Sequence, residues 1–258
     1  DMTIQLAVFI FSLFLIGGFL FAVFRKKPVL KMPVEGTEQR ILEQDVLFYQ
    51  RLSSQEKIRF EENIKAFLQK VRITGVKTEV SDSDRIFVAA AAVIPIFSFK
   101  GWAYRNIHEV LLYPGSFNHD YSLEGADRNL SGMVGNGPMQ NIMLLSQQDL
   151  RSGFLNHTDT SNTAIHEFVH LVDKSDGSTD GIPENLLPQK YVLPFLSRIH
   201  EEIQQIKSHH SDINPYGATS EAEFLAVAAE YFFQRPEMME KNHPELFRLL
   251  EQVFTTPS

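Results

Sequence analysis

The sequence of 258 residues contains no cysteine. Disulfide bonds and thiolate metal sites are therefore excluded, and any metal must be bound through His, Asp or Glu. An excess of positive charge is also lacking, because 24 Lys and Arg residues stand against 32 Asp and Glu residues. The formal net charge of -8 argues against non-specific nucleic-acid binding. The chain has no internal repeat or low-complexity tract, and its hydrophobic fraction of 43% is typical of a globular protein.

One segment departs from this globular composition. Residues 4–24 carry no charge and are almost wholly apolar. As a helix they span about 32 Å, close to the thickness of a bilayer core. A cleaved signal peptide would have its basic residues before the apolar run, whereas here Arg25, Lys26 and Lys27 follow it. We therefore expect residues 1–24 to be a single-pass anchor in the cell inner membrane, with the C-terminal part cytoplasmic.

The remainder predicts a linker and one domain. Residues 25–37 contain prolines, a glycine and charges, which is typical of an extended linker. Residues 38–258 alternate between helical and strand patterns, so we expect an α+β domain with a small mixed or antiparallel sheet. The predicted helices cover about 38–52, 54–72, 86–94, 147–154, 163–173, 191–208, 220–233 and 244–254, and the predicted strands about 73–80, 107–113, 130–135 and 141–146.

The helix predicted at 163–173 carries the clearest functional motif, His166-Glu167-x-x-His170. Two residues four apart lie one turn apart on the same helix face, so both imidazoles can bind one metal ion. Glu167 stands beside them, where a carboxylate can take a proton from water activated by the metal. Asp173 has two interpretations, either as an acceptor for the outer nitrogen of a ligand imidazole or as an exposed residue near the helix end.

A catalytic zinc ion needs a third protein ligand, and the motif itself does not supply one. No His follows it at the spacing of the metzincin signature. The apolar helix predicted at 220–233 offers Glu221, Glu223 and Glu230. Glu223 also fits a capping box that begins at Ser220, and Glu230 also fits an ordinary charge at a helix edge. Glu223 and Glu230 lie two turns apart on one face, so one can bind the metal while the other supports it, and spacing does not say which.

Several further motifs make the chain similar to a known family. Over roughly residues 40–256 the chain resembles the bacterial zinc-dependent peptidases of the Mlc titration factor A family, which are of the gluzincin type. The resemblance is carried by His108–Pro114, His166–Asp173, Gly181–Pro183, Tyr216–Thr219, Ala222–Val227 and Glu230–Phe233.

This resemblance implies a zincin-like fold with one catalytic zinc ion. By motif the ligands are His166, His170 and Glu223, and the general base is Glu167. Tyr216 matches a tyrosine near the metal that can stabilise an oxyanion, or it is a turn residue that packs its ring. The family implies aminopeptidase activity on small peptides, and some members bind a glucose-responsive transcriptional repressor.

Two functions from different classes follow from these observations. The first is a membrane-anchored zinc-dependent metallopeptidase that hydrolyses peptide bonds with water activated by the metal. The alternative is a membrane-tethered regulatory binding protein that sequesters a transcriptional regulator or another protein partner with little or no catalysis. The family that the chain resembles includes a soluble cytosolic protein, and the apolar segment at 4–24 is a departure from it. This difference bears on the partner but not on the peptidase chemistry.

Overall fold

The computed structural model describes residues 32–33, 36–118, 130–135, 140–183, 186 and 189–255. Helices α1 to α10 are, in chain order, Thr37–Asp45, Leu47–Gln50, Ser54–Leu68, Asp82–Val93, Gln147–Leu155, Thr163–Asp173, Gln189–Lys207, Glu221–Gln234, Pro236–Asn242 and Pro244–Phe254. Strands β1 to β4 are Arg72–Gly75, Glu109–Tyr113, Gly132–Val134 and Ile142–Ser146. Over the described part, the chain is mostly helical with a small mixed sheet, which confirms the predicted α+β class.

The four strands form one sheet in the order β1-β2-β4-β3. The first three strands in that order are parallel, and Val110 of β2 lies opposite Ile73 of β1 and Met143 of β4. The short strand β3 runs antiparallel to β4, with Met133 opposite Leu144, and forms an edge of the sheet. The two strands predicted around 130–146 therefore pair with each other, and the shorter of them occupies an edge.

The prediction of a strand over 73–80 is wrong for its second half. The chain leaves the sheet after Gly75, and Lys77 adopts a left-handed φ of 57°. The carbonyl of Thr78 folds back so closely on Gly75 that a Cβ there would overlap it. A tight turn thus replaces the β-branched continuation that the sequence pattern indicated.

The predicted alanine-rich buried helix is α4, and it lies at the centre of the core. Ser81 Oγ accepts from the Asp84 N–H at 3.2 Å, and the Asp84 carboxylate accepts from the Ser81 N–H at 2.8 Å, which completes a capping box. Asp84 is fully buried and pairs with Arg151 of α5 at 2.7 Å. The small side chains of Ala89–Ala92 allow α3, α5 and α6 to pack closely around α4. Pro95 ends the helix in a 3-10 turn.

Helix α8 packs along α6, and both are almost wholly buried. A helix that is apolar on all sides belongs inside a protein, and α8 is buried continuously from Phe224 to Gln234. Helix α8 ends at Gln234, close to the end at 233 that the sequence pattern predicts. The sequence did not indicate that Pro236 opens a further helix, α9, which proline at a first helical position permits.

The predicted membrane anchor at 1–24 lies outside the described residues. Among the residues that the structure does describe, no helix combines the length and the apolar character needed to cross a bilayer.

Candidate metal centre

Asn162 is the N-cap of α6 and the last of four neighbouring polar residues, Asp159, Thr160, Ser161 and Asn162, that are suitable caps by sequence. The Asn162 side chain accepts from the Ile165 N–H at 3.2 Å, and its amide donates to the Gly153 carbonyl at 3.0 Å. Asn162 is 1% exposed, so both ends of its side chain are used inside the protein. This cap fixes where the first turn of α6 starts and hence the direction in which the following histidines point.

His166 and His170 project from one side of α6, as the motif predicts. Their rings lie 4.7 Å apart and their Nε2 atoms 3.1 Å apart. The opposite side of the helix is anchored by Ile165, Phe168 and Val169, each with no exposed surface. Because this apolar side is packed into the core, the imidazole side is presented to the sheet edge and to α8.

Glu223 of α8 completes a group of three donor atoms. Its Oε2 lies 3.0 Å from His166 Nε2 and 3.3 Å from His170 Nε2. Ser220 Oγ accepts from the Glu223 N–H at 3.2 Å, which is one half of the capping box that the sequence indicated. The Glu223 carboxylate contacts the two histidines. The structure therefore brings together His166, His170 and Glu223, whose donor atoms lie within 4.8 Å of one another.

Glu230 contacts the same histidine from the other side. Its Oε1 lies 2.7 Å from His166 Nδ1, and its Oε2 accepts from the Asn162 N–H at 2.6 Å. Glu230 is 7% exposed. The two glutamates that spacing could not separate therefore have different positions, because Glu223 faces the inner nitrogens and Glu230 faces the outer nitrogen of His166.

These contacts determine how the donor atoms are protonated. A carboxylate oxygen accepts, so His166 Nδ1 carries the hydrogen that bonds to Glu230. In the neutral ring, His166 Nε2 then presents a lone pair towards Glu223 Oε2. Two acceptors 3.0 Å apart repel each other unless a proton or a metal cation lies between them. The arrangement is thus suited to a positive charge at the point where the three donor atoms meet.

The electrostatics of the two partners agree with this conclusion. Burial lowers the pKa of His166, but its hydrogen bonds with Glu223 and Glu230 outweigh burial and raise that pKa to about 10. Burial raises the pKa of Glu223, but its hydrogen bonds with His166 and His170 outweigh burial and lower that pKa to about 2. Both shifts show that the surrounding charges favour a cation at this point.

Glu167 lies beside the donor atoms in a more enclosed position. It is 7% exposed, and burial raises the pKa of its carboxyl group. Strand β3 passes so close that a Cβ on Gly132 would lie 2.6 Å from Glu167 Cγ and Oε1. Gly132 therefore gives the Glu167 carboxylate the room it occupies, a role that the sequence pattern of a short strand did not reveal.

The donor atoms and Glu167 face a cleft of about 370 Å³. Residues of β3 form one wall, and Tyr216 and the start of α8 form another. Tyr216 is 53% exposed, and its ring centre lies 6.0 Å from that of His166. Burial is the main cause that raises the pKa of its phenol, and the Glu223 and Glu167 carboxylates add to it. The phenol therefore stays a protonated donor at neutral pH.

Asp173 has neither of the two environments that the sequence indicated. It has no exposed surface, so the interpretation as an exposed residue is wrong, and its Oδ2 accepts from the Gly181 N–H at 2.9 Å. Within the described residues, His170 Nδ1 has no hydrogen-bond partner, and the outer nitrogen of His166 is bonded to Glu230. Gly181 has a φ of 78°, and a Cβ there would overlap the Glu221 carbonyl. Asp173 thus holds a loop against the start of α8.

Comparison with known proteins agrees with this geometry. A model of the family described as glucose-regulated metallo-peptidase M90 matches residues 21–255. The chain belongs to this family.

Relatives of the M90 chain cover most of its length. An uncharacterised protein of Synechocystis sp. is 27% identical over 242 residues, which are 89% of this chain and 87% of that protein. Mlc titration factor A of Escherichia fergusonii is 30% identical over 219 residues, 79% of this chain and 80% of that protein. Mlc titration factor A of Pectobacterium atrosepticum is 30% identical over 185 residues, 65% and 66% of the two chains. These matches confirm the resemblance to Mlc titration factor A and support a metallopeptidase role at the level of the M90 family.

Proposed function

We propose that this M90 chain is a zinc-dependent metallopeptidase whose ligands are His166, His170 and Glu223. The observation that carries the proposal is the triangle of two imidazole nitrogens and one carboxylate oxygen, with edges of 3.0, 3.1 and 3.3 Å, at the base of an open cleft. Zinc bound tetrahedrally at 2.0–2.1 Å keeps its ligand atoms about 3.3 Å apart. Both the spacing and the N, N, O donor set therefore fit a zinc ion.

When bound there, zinc lowers the pKa of water and polarises a peptide carbonyl. The protein supplies the remaining groups. Glu230 holds His166 in the tautomer and orientation needed for binding through Nε2. Glu167 takes the proton from the attacking water and delivers it to the leaving amine. Its burial suits this role, because a raised pKa brings a carboxyl group closer to the operating pH. Tyr216 donates from the mouth of the cleft to the oxyanion of the tetrahedral intermediate.

The walls of the cleft support a proposal for the substrate class. Strand β3 is an edge of the sheet and lines the cleft beside Glu167. An extended peptide can add to such an edge through main-chain hydrogen bonds, which places its carbonyl groups along the row of donor atoms. A cleft of about 370 Å³ accommodates a few residues, in keeping with aminopeptidase-like activity on small peptides. In this proposal, residues 1–24 anchor the domain to the cytoplasmic face of the inner membrane.

A second candidate function rests on the names of the relatives. Proteins that cover most of this chain are called Mlc titration factor A, which indicates binding of a regulator. In that case the chain would be a membrane-tethered protein that sequesters a regulator or another partner, with little or no catalysis. Catalytic dependence on Glu167 separates the two functions.

Removal of the metal provides the first test. The full chain purified with zinc should contain about one ion and cleave members of a panel of aminoacyl p-nitroanilides. Treatment with a chelator such as phenanthroline should abolish cleavage together with zinc content, and addition of Zn²⁺ should restore both, because in this proposal the metal lowers the pKa of the attacking water and polarises the carbonyl. Mg²⁺ is the control and should not restore cleavage, since it prefers oxygen ligands. Hydrolysis that persists in the zinc-free chain would contradict the proposal.

Substitution of Gly132 tests the position of Glu167 without removing a functional group. Gly132→Ala should reduce kcat about 10- to 100-fold and leave zinc content unchanged, because the new Cβ lies 2.6 Å from Glu167 Cγ and displaces its carboxylate. Gly115→Ala is the control, since the nearest atom to its Cβ would be 3.8 Å away. Steady-state kinetics and metal analysis of both variants measure the effect. A Gly132→Ala enzyme with unchanged kcat would show that Glu167 need not hold its observed position.

A further inference from the structure

A second cavity, of about 360 Å³, lies between α3 and the segment that connects α4 to β2. Most of its wall is apolar, with Phe67, Val71, Phe97, Phe99 and Trp102 among the lining residues. Its wall residues Phe67 and Tyr104 contact Phe168, with ring centres 5.7 and 5.4 Å away. Phe168 is on the side of α6 that faces the core, so this cavity is separate from the metal centre.

The charged residues of the cavity are all of one sign. Arg59, Lys70 and Lys100 line it, and its lining includes neither Asp nor Glu. This is unusual in a chain with a net charge of -8. A site with several cations and no carboxylate is complementary to a ligand that carries negative charge.

The Arg59 side chain has a buried hydrogen-bond donor that is not satisfied within the described residues. Its guanidinium carbon lies 4.2 Å from the centre of the Phe97 ring. Its Nε is shielded from solvent and has no hydrogen-bond partner among the described residues. Glu56 lies one turn earlier on α3, and its pKa is lowered mainly by hydrogen bonds from Ser53 and to a smaller extent by the charge of Arg59. Its carboxylate accepts from the Ser53 N–H and hydroxyl at 2.9 and 2.6 Å. A shielded donor without a partner costs free energy that an anionic ligand would recover.

We infer that this cavity binds a small amphiphile with one carboxylate and one apolar chain, of the class of medium-chain fatty acids. The apolar wall takes the chain, and Arg59 with the exposed Lys70 and Lys100 takes the carboxylate. A volume of about 360 Å³ is in the range of pockets that hold small molecules. The site does not depend on the metal centre, so its occupancy is measurable whether or not the chain hydrolyses peptides.

The test compares three probes that share one chain length and differ in head group. Decanoate, decanol and decyltrimethylammonium are titrated into the full chain by calorimetry below their micelle concentrations. We expect saturable binding of decanoate, at least about tenfold weaker binding of decanol, and no binding of the cation. The absence of saturable decanoate binding would overturn the inference, as would equal binding of the cationic probe. Binding of an acidic, apolar peptide without binding of decanoate would also overturn it.

Two variants show whether the binding takes place in this cavity. Ala66 is an exposed residue of α3 that lines the cavity, so Ala66→Trp fills the cavity without disturbing the core, and it should abolish decanoate binding. Arg59→Gln should weaken decanoate about tenfold and leave decanol unchanged. The control is Arg248→Gln, an exposed arginine of α10. Because residues 4–24 are apolar and can bind amphiphiles themselves, the difference between wild type and Ala66→Trp defines the signal. Equal decanoate binding by the two would overturn the inference.

Discussion

Replacement of Glu167 by Gln is expected to lower kcat by about 10²- to 10⁴-fold and to leave one zinc ion per chain, because a positioned general base contributes a factor of that size. The amide of Gln occupies nearly the same volume in a buried position but cannot take a proton from water. Glu167 does not belong to the group of His166, His170 and Glu223 that binds the metal in this proposal, so the substitution leaves all three ligands in place. Kinetics on the p-nitroanilide panel and metal analysis of the same preparations measure both expectations.

The matched control is Glu221→Gln. Glu221 is a glutamate of α8 near the cleft, but its side chain is 43% exposed and contacts His200 at 3.2 Å. It should therefore behave as wild type. Equal hydrolysis by wild type and Glu167→Gln would exclude the proposed mechanism. A different outcome, in which the wild-type chain binds zinc but cleaves no member of the panel, would favour the binding-protein alternative.

The helix that carries His166 and His170 could be predicted because its two determinants are local. The four-residue spacing puts both imidazoles on one face, and the apolar residues between them show which side is buried. Its start was less well defined, since four neighbouring polar residues were suitable caps. Asn162 is selected by a distant contact, because its amide reaches the Gly153 carbonyl and its backbone N–H reaches Glu230. Sequence spacing contains no information on such contacts.

The separate positions of Glu223 and Glu230 depend on how two helices pack. Helix α8 runs antiparallel to α6, so that Glu230 lies beside Asn162 at the start of α6 and Glu223 lies beside His170, about two turns further along α6. Spacing along α8 puts both glutamates on one face but does not give the register between the helices. The resemblance to the family identified Glu223 as the ligand where spacing left the choice open.

The sheet shows the same limit. Strands β2 and β4 were predicted to within about two residues, because short apolar runs bounded by Gly, Pro and Asn are strong local signals. The parallel pairing of β2 with both β1 and β4 was not predictable, since it depends on the helices that connect the strands. The importance of Gly132 also follows from tertiary structure, because only the approach of Glu167 makes a side chain there unfavourable.

Glu223→Ala and Glu230→Ala are both expected to lower metal affinity and stability, but the variant with the larger loss of affinity should have the smaller loss of stability. Loss of a ligand should weaken zinc binding by more than about 100-fold, whereas loss of a residue that supports a ligand typically weakens it about 10- to 100-fold. Zinc affinity should therefore fall further in Glu223→Ala than in Glu230→Ala. Competition with a fluorescent chelator measures both affinities.

The free energy of unfolding of the zinc-free chains should show the reverse order. Glu230 is 7% exposed and accepts from the Asn162 N–H, so its removal leaves a buried donor without a partner and should cost about 1–3 kcal/mol. The Glu223 side chain is 24% exposed, and water can take its place, so Glu223→Ala should cost less. Urea denaturation in the presence of a chelator measures this difference, with Glu221→Ala as the control. If Glu230→Ala instead shows the larger loss of zinc affinity, Glu230 is the ligand and Glu223 the support. The two measurements together separate binding from support, because a purely structural defect in a chain that stays folded would lower its stability without a comparable loss of zinc affinity.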